Sequence, residues 1–372
     1  MVGTAPGPIM LIDTRTSTVL GVFDDDAISM AFARDQDGTR GLLVAARAGD
    51  KFQVLVREEP DWRVVHAVDA APSVGANIPS EVAYSLHPSS RDSRFVGTLG
   101  TDVILMDRHE ALSRRLALPV QIARVGMDGD HDLAVVGLRN GEICLVDVCD
   151  MTVKRKIPGG VLVGAVALDV ERGLIAVGHS SDLRVLETAE RSWLQQVHST
   201  PDNHQCVTIA PDGTIAWGDD DGYLHVRAAA PPHAVTSWEA HKGVVRSVAF
   251  SPGEGNEIMS AGADGAIRCW TRGSELTRLI VDEMLPGGVW CARYGEDSNV
   301  IGAACNDGTA WLWPVWDKAP AMILKASTAR APELVFSRKG HLMVVLATTT
   351  GDRSEAPATV WDAKSGELLC TL

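Results

Sequence analysis

The chain has 372 residues, 45% hydrophobic and 22% charged, the balance of a globular protein with a sizeable core and not of a disordered one. Its formal net charge of −14 repels phosphate, which disfavours general binding to nucleic acid or to an anionic membrane and favours basic partners. Seven cysteines, an odd number, include no CxxC pair and no His/Cys spacing suited to zinc, so reduced thiols in a cytoplasmic compartment, or a nuclear one, are expected.

The N-terminal stretch MVGTAPGPIMLIDTR has no basic segment followed by an apolar run, so no signal peptide is expected. PIMLIDTRTSTVLGVF at 8–23 reads as two strands, half of the unit that follows. From there one phrase recurs: apolar run, turn, apolar run ending in small residues, turn, apolar run, turn, apolar run. It is legible at 27–56, 81–107, 123–148 with the hairpin turn Asn140-Gly141, and 162–188. It sharpens at 205–228 with Asp221-Gly222, at 241–270 with Asp264-Gly265, and from 287 with Asp307-Gly308, and closes on Trp361-Asp362.

The first strand of each phrase ends at Phe32, Leu86, Met127, Leu168, Ile209, Phe250, Tyr294 and Phe336, at intervals of 54, 41, 41, 41, 41, 44 and 42 residues. Four short strands per unit at a period near 41 is the pattern of a β-propeller, and no segment sustains a helical period. The expected fold class is all-β: a single propeller over 1–372, built of four-stranded antiparallel blades. Eight blades is the first choice, with residues 1–23 as ring-closing strands, and seven is the alternative.

The stretch HKGVVRSVAFSPGEGNEIMSAGADGAIRCW at 241–270 resembles the repeat of the WD-repeat propeller family, and weaker copies extend that resemblance over nearly the whole chain. It implies a structural tetrad of His241, Ser260, Asp264 and Trp270, in which a buried turn carboxylate is satisfied by hydrogen bonds. No other unit completes the set. Asp307 and Trp313 lack a preceding His, Trp361-Asp362 lacks the Asp-Gly turn, and Asp221-Gly222 is followed by Val226 where a Trp would stand.

Enzyme chemistry has little to stand on. His179, His204, His225, His233 and His241 are scattered over several units without HxH or HExxH spacing. The runs Asp24–Asp26 and Asp219–Asp221 read as turn residues, and there is no GxSxG, Walker loop or GxGxxG after a strand. No catalytic residue, metal or cofactor is expected. The basic clusters Lys154-Arg155-Lys156 and Arg114-Arg115 read as solvated strand positions.

Aligning Phe250 with Tyr294 sets Trp290 over Arg246; the corresponding places elsewhere hold Gln205, Gly164, Ala123, Val82, Ile28 and Pro332. A residue that varies freely in a repeat is not fixed by packing the blade, and Trp and Arg are the types that carry interface energy. In the family this resembles, the position lies near the channel rim where partners dock. Arg246, Trp290 and Gln205, with Asp219 and Asp220 as an expected negative patch, therefore form the candidate binding rim; the alternative for Trp290 is a channel plug. The expected function is a non-catalytic scaffold or adaptor, a subunit of a complex, whose protein partners include ones with basic segments. The alternatives are a reader of basic peptides, such as a histone tail or degradation signal, and a propeller hydrolase or lactonase.

Overall fold

A computed structural model describes strands 9–13, 18–23, 26–34, 40–48, 51–58, 63–69, 85–88 and 94–99, and residues 101–107, 113–128, 132–158, 162–179, 182–187, 195–199, 204–272, 277–281, 285, 287–295, 300–314, 322–325, 330–336, 342–348, 359–362 and 368–371. Each of eight antiparallel sheets is four strands taken in chain order, each strand paired with the next. Sheets 1 to 8 span 26–69, 85–117, 122–157, 163–199, 204–239, 245–281, 289–325 and 330–371. Strands Ile9–Asp13 and Thr18–Phe23 form a separate two-stranded sheet. Trp270, Trp313 and Trp361 all fall in third strands. Among the described residues no helix is long and apolar enough to cross a membrane.

The chain divides into two compact units, one of residues 25–201 and one of 1–24 with 202–372. The first holds sheets 1 to 4. The second holds sheets 5 to 8 and the N-terminal hairpin, whose first strand lies beside the last two strands of sheet 8 without joining their ladder.

The strands grade from dry to wet across a sheet. Second strands such as LAVVGL (Leu133–Leu138) and EIMSAG (Glu257–Gly262) are buried at every position but the first, as continuous apolar runs demand when both faces are covered. Fourth strands alternate: Thr152–Ile157, TVKRKI, turns every other side chain to water. That accounts for the KRK cluster, whose lysines pair with Glu142, Asp147 and Asp150.

Neighbouring sheets interlock through their first strands. Val163, opening sheet 4, packs so closely on Gly137 of sheet 3 that a Cβ there would sit 2.6 Å from its methyl; Val245 stands 2.4 Å from the equivalent point on Gly218. At these two seams a glycine near the end of the second strand admits the valine that opens the next sheet. The cores follow the same seams. One joins Val135, Ile143 and Leu145 to Ile175, Val177 and Leu186. Another joins Ala216 and Leu224 to Val245, Val248 and Ile258.

Candidate functional site

The first and second strands of a sheet do not pair residue for residue. In sheet 6 Val245 faces Gly262 and Ser247 faces Ala261, so Arg246 is a bulge with no partner. The same extra residue is Ile28, Ala123, Gly164, Gln205 and Trp290 in sheets 1, 3, 4, 5 and 7, and Ala331 with Pro332 in sheet 8. The position that sequence alignment set apart is thus a β-bulge in every sheet where its surroundings are described. Val82 lies outside the described residues. A bulge re-aims its side chain out of the pleat, so its identity is released from packing the ladder.

At two successive bulges the released side chains meet. The guanidinium carbon of Arg246 lies 4.2 Å from the centroid of the Trp290 ring, a cation–π contact between sheets 6 and 7. Both side chains are half-buried. Ser247, next to Arg246, donates its hydroxyl to the Ala292 carbonyl at 3.0 Å and fixes the offset between the two strands. Gln205 occupies the bulge of sheet 5.

Beside this pair His241 ties the sheets together. Its backbone N–H donates to Gly222 O in the turn of sheet 5 at 2.9 Å. That turn admits only glycine, since φ is +94° and a Cβ would lie 2.0 Å from His241 O. The His241 side chain, with Ser260, is wholly buried. The indole N–H of Trp270 donates to Ser260 Oγ at 2.9 Å; Ser260 Oγ lies 2.8 Å from His241 Nε2, and His241 Nδ1 lies 2.8 Å from Asp264 Oδ1. Indole can only donate and carboxylate only accept, so the chain runs one way: Ser260 gives its proton to Nε2, and Nδ1–H points at Asp264. Asp264 also accepts from the amides of Lys242 and Ala266 and from Arg268. Burial opposes its ionisation, yet the hydrogen bond and electrostatic attraction of His241 and the two amides outweigh it and hold the carboxyl well below the usual range. Trp270 packs on Trp238 of sheet 5, ring centroids 5.3 Å apart.

The expected negative patch is not built. Asp219 is 2% exposed. Its Oδ1 accepts from Tyr223 N at 2.8 Å, and its Oδ2 lies 2.9 Å from His225 Nε2. The other ring nitrogen of His225 reaches Ser237 Oγ at 2.7 Å, and the ring stacks on Trp217 and Tyr223. A carboxylate so occupied has no lone pair facing solvent. Asp220 is half-buried, with Oδ1 enclosed; only Asp221 of the run is exposed. The Asp219–His225 pair went unread because a run of three aspartates looks like a solvated turn. The available signal was a His six residues on, across a hairpin. By count from Gly265 to Trp270, the place of the tryptophan in sheet 5 falls on Arg227, not Val226. Arg227 is 4% exposed.

Three of the described thiols are held in the protonated form. Burial pushes the thiol of Cys144 up to about 11 and those of Cys206 and Cys305 up to about 12, too high for a thiolate nucleophile at neutral pH. Arg115 is drawn to buried Asp102 at 3.3 Å and Arg114 donates to the Cys149 carbonyl at 2.9 Å, so neither arginine of the cluster is merely solvated. No group of three or more metal-ligating side chains comes together among the described residues.

Comparison with known proteins adds the following. Residues 233–271 match the family described as WD40, WD domain, G-beta repeat. The chain is 37% identical over 78 residues, 20% of its length, to the periodic tryptophan protein 2 homolog of Dictyostelium discoideum. It is 21% identical over 304 residues, 79% of its length, to the APC/C activator protein CDH1 of Saccharomyces cerevisiae (strain ATCC 204508 / S288c). The matches span 8% and 53% of those relatives. Among solved structures, the computationally designed Ika8 protein superposes with a TM-score of 0.66 at 17% identity, covering 78% of this chain and 87% of that one. A chain of the Mitotic Checkpoint Complex superposes with a TM-score of 0.59 at 18% identity, covering 72% and 89%. These structures share the fold: four-stranded antiparallel propeller blades.

Proposed function

We propose that this chain, a member of the WD-repeat β-propeller family, is a non-catalytic adaptor that docks partner proteins through the bulge side chains of its first strands. One observation carries the reading. Arg246 and Trp290 occupy positions that the ladder leaves unpaired, and they are stacked on each other at 4.2 Å. Energy in protein interfaces concentrates in such aromatic and arginine side chains. A rigid sheet set that projects many loops suits a platform for several proteins. That step from fold to role is by analogy.

The likeness to a relative named as an activator of the APC/C supports placing the chain as a subunit of a larger assembly. Six described free cysteines, none in a disulfide, support a reducing compartment, the cytoplasm first and the nucleus as the alternative. The net charge of −14 still favours basic partners over the surface at large, although Asp219 no longer contributes at the rim. We read the chain as a single propeller.

The test is capture by the full chain compared with its Trp290→Ala variant, read by quantitative mass spectrometry with both baits shown to be equally folded. The reading expects a defined set of proteins retained by the parent chain and depleted with the variant. Retention of the same set by both, or of none by the parent chain, contradicts it.

A further inference from the structure

We infer that the Arg246–Trp290 pair is a carboxylate-binding subsite, and that it takes a partner segment carrying one or two acidic side chains. The inference rests on the docking role above and narrows it. It reverses locally the preference for basic segments that net charge suggests.

Arg246 differs from several of the described arginines: Arg114 and Arg124 donate to backbone carbonyls, and five others meet carboxylates. Arg115, Arg172, Arg184, Arg268 and Arg272 each reach an aspartate of their own or a neighbouring sheet. Among the described residues no carboxylate lies within ion-pair distance of Arg246; its guanidinium rests on the Trp290 face instead. In a chain with 48 acidic and 34 basic side chains, a half-buried cation without an acidic partner is a recognition group in waiting. The contact with the ring is made through the guanidinium carbon and spends none of its N–H donors on a carboxylate. Their planar fork matches the two oxygens of a carboxylate. The indole beneath it excludes water, which strengthens such a pair.

The acidic groups at the same end of the adjoining sheets do not fill the role. Asp219 is held by His225 and Tyr223 N, and Asp264 by His241, Arg268 and two amides. Asp307 turns back on Thr309. Asp221 and Asp307 remain exposed at their turns, so the subsite is one cation in an acidic surround. Such a surround repels long acidic tracts and admits a segment with a single well-placed Asp or Glu.

Random peptides displayed on phage, selected against the full-length chain, test this directly. The parent chain should recover sequences with a fixed Asp or Glu, and Arg246→Gln, folded to the same melting temperature, should lose that enrichment. In a recovered peptide, Glu→Gln should weaken binding about tenfold or more to the parent chain and leave binding to Arg246→Gln unchanged. A selection that returns no peptides, basic peptides, or the same acidic ones with both proteins overturns the inference. So does a phosphoserine replacing that Glu and binding more than about tenfold tighter, which would assign the cation to phosphorylated segments. Partner capture lost with Trp290→Ala but kept with Arg246→Gln would sink the carboxylate subsite and leave the docking role standing.

Discussion

Sheets 5 and 6 each bury a histidine against an aspartate, and they do it by different routes. In sheet 6 the aspartate sits in the turn before the third strand, the histidine arrives from the loop before the first, and the serine lies mid-sheet at 0% exposure. In sheet 5 the aspartate ends the second strand and the histidine stands on the third. The serine is on the exposed fourth strand, in line with Trp217 and His225 across the ladder. The first network is enclosed around His241 and Ser260 and capped by the Trp270 indole. The second is open at one end, where water can replace Ser237. The same chemical trio is therefore rigid in one place and replaceable in the other, and burial of the serine decides which.

Removing the aspartate should have the largest effect. Asp264→Ala strands His241, Arg268 and two amides, and should cost about 3 kcal/mol. Asp219→Ala strands His225 and one amide and should cost about 1–2 kcal/mol. Denaturant unfolding of the two variants checks the order, and equal losses would erase the distinction between the networks.

The serines sharpen it. Ser260→Ala leaves the Trp270 N–H and His241 Nε2 without a partner in a dry site, an expected loss of about 1–2 kcal/mol. Ser237→Ala should stay within about 0.5 kcal/mol because solvent completes the bond. A Ser237→Ala loss as large as that of Ser260→Ala would show that the second network is closed as well.

Much of this was legible beforehand, for identifiable reasons. The trio of sheet 6 and its Trp270 cap lie within one stretch of 30 residues in family order, so spacing alone grouped them. Matching Phe250 with Tyr294, 44 residues on, aligned Trp290 with Arg246 because strands Val245–Phe250 and Val289–Tyr294 both end at those residues. What spacing could not show is that this alignment falls on a bulge, since pairing to the second strand is not written in either strand alone. The burial of Asp219 is hidden from the sequence for a related cause. Its burial comes from a backbone amide and a histidine across the hairpin, while composition shows only three successive acids. The division at 24/25 and 201/202 has no signature either, because the repeat rhythm runs through both points.

A smaller effect should appear in acid. The Asp264 carboxyl is held below its ordinary value in the folded chain, so its contribution to stability is full above about pH 4 and declines as pH falls further through the folded value. Unfolding free energy measured downward from pH 5 should drop more steeply for the parent chain than for Asp264→Asn. Parallel curves would mean that the carboxylate carries no linkage.

The proposed docking role requires that the Trp290 side chain serve recognition more than it holds the fold. Affinity of Trp290→Ala for a captured partner, measured beside its melting temperature, tests that claim most directly. The account predicts a loss of about 2 kcal/mol or more in binding, with melting shifted by no more than about one or two degrees. A melting temperature lowered by several degrees with affinity unchanged would contradict it, and would make Trp290 a plug in the structure.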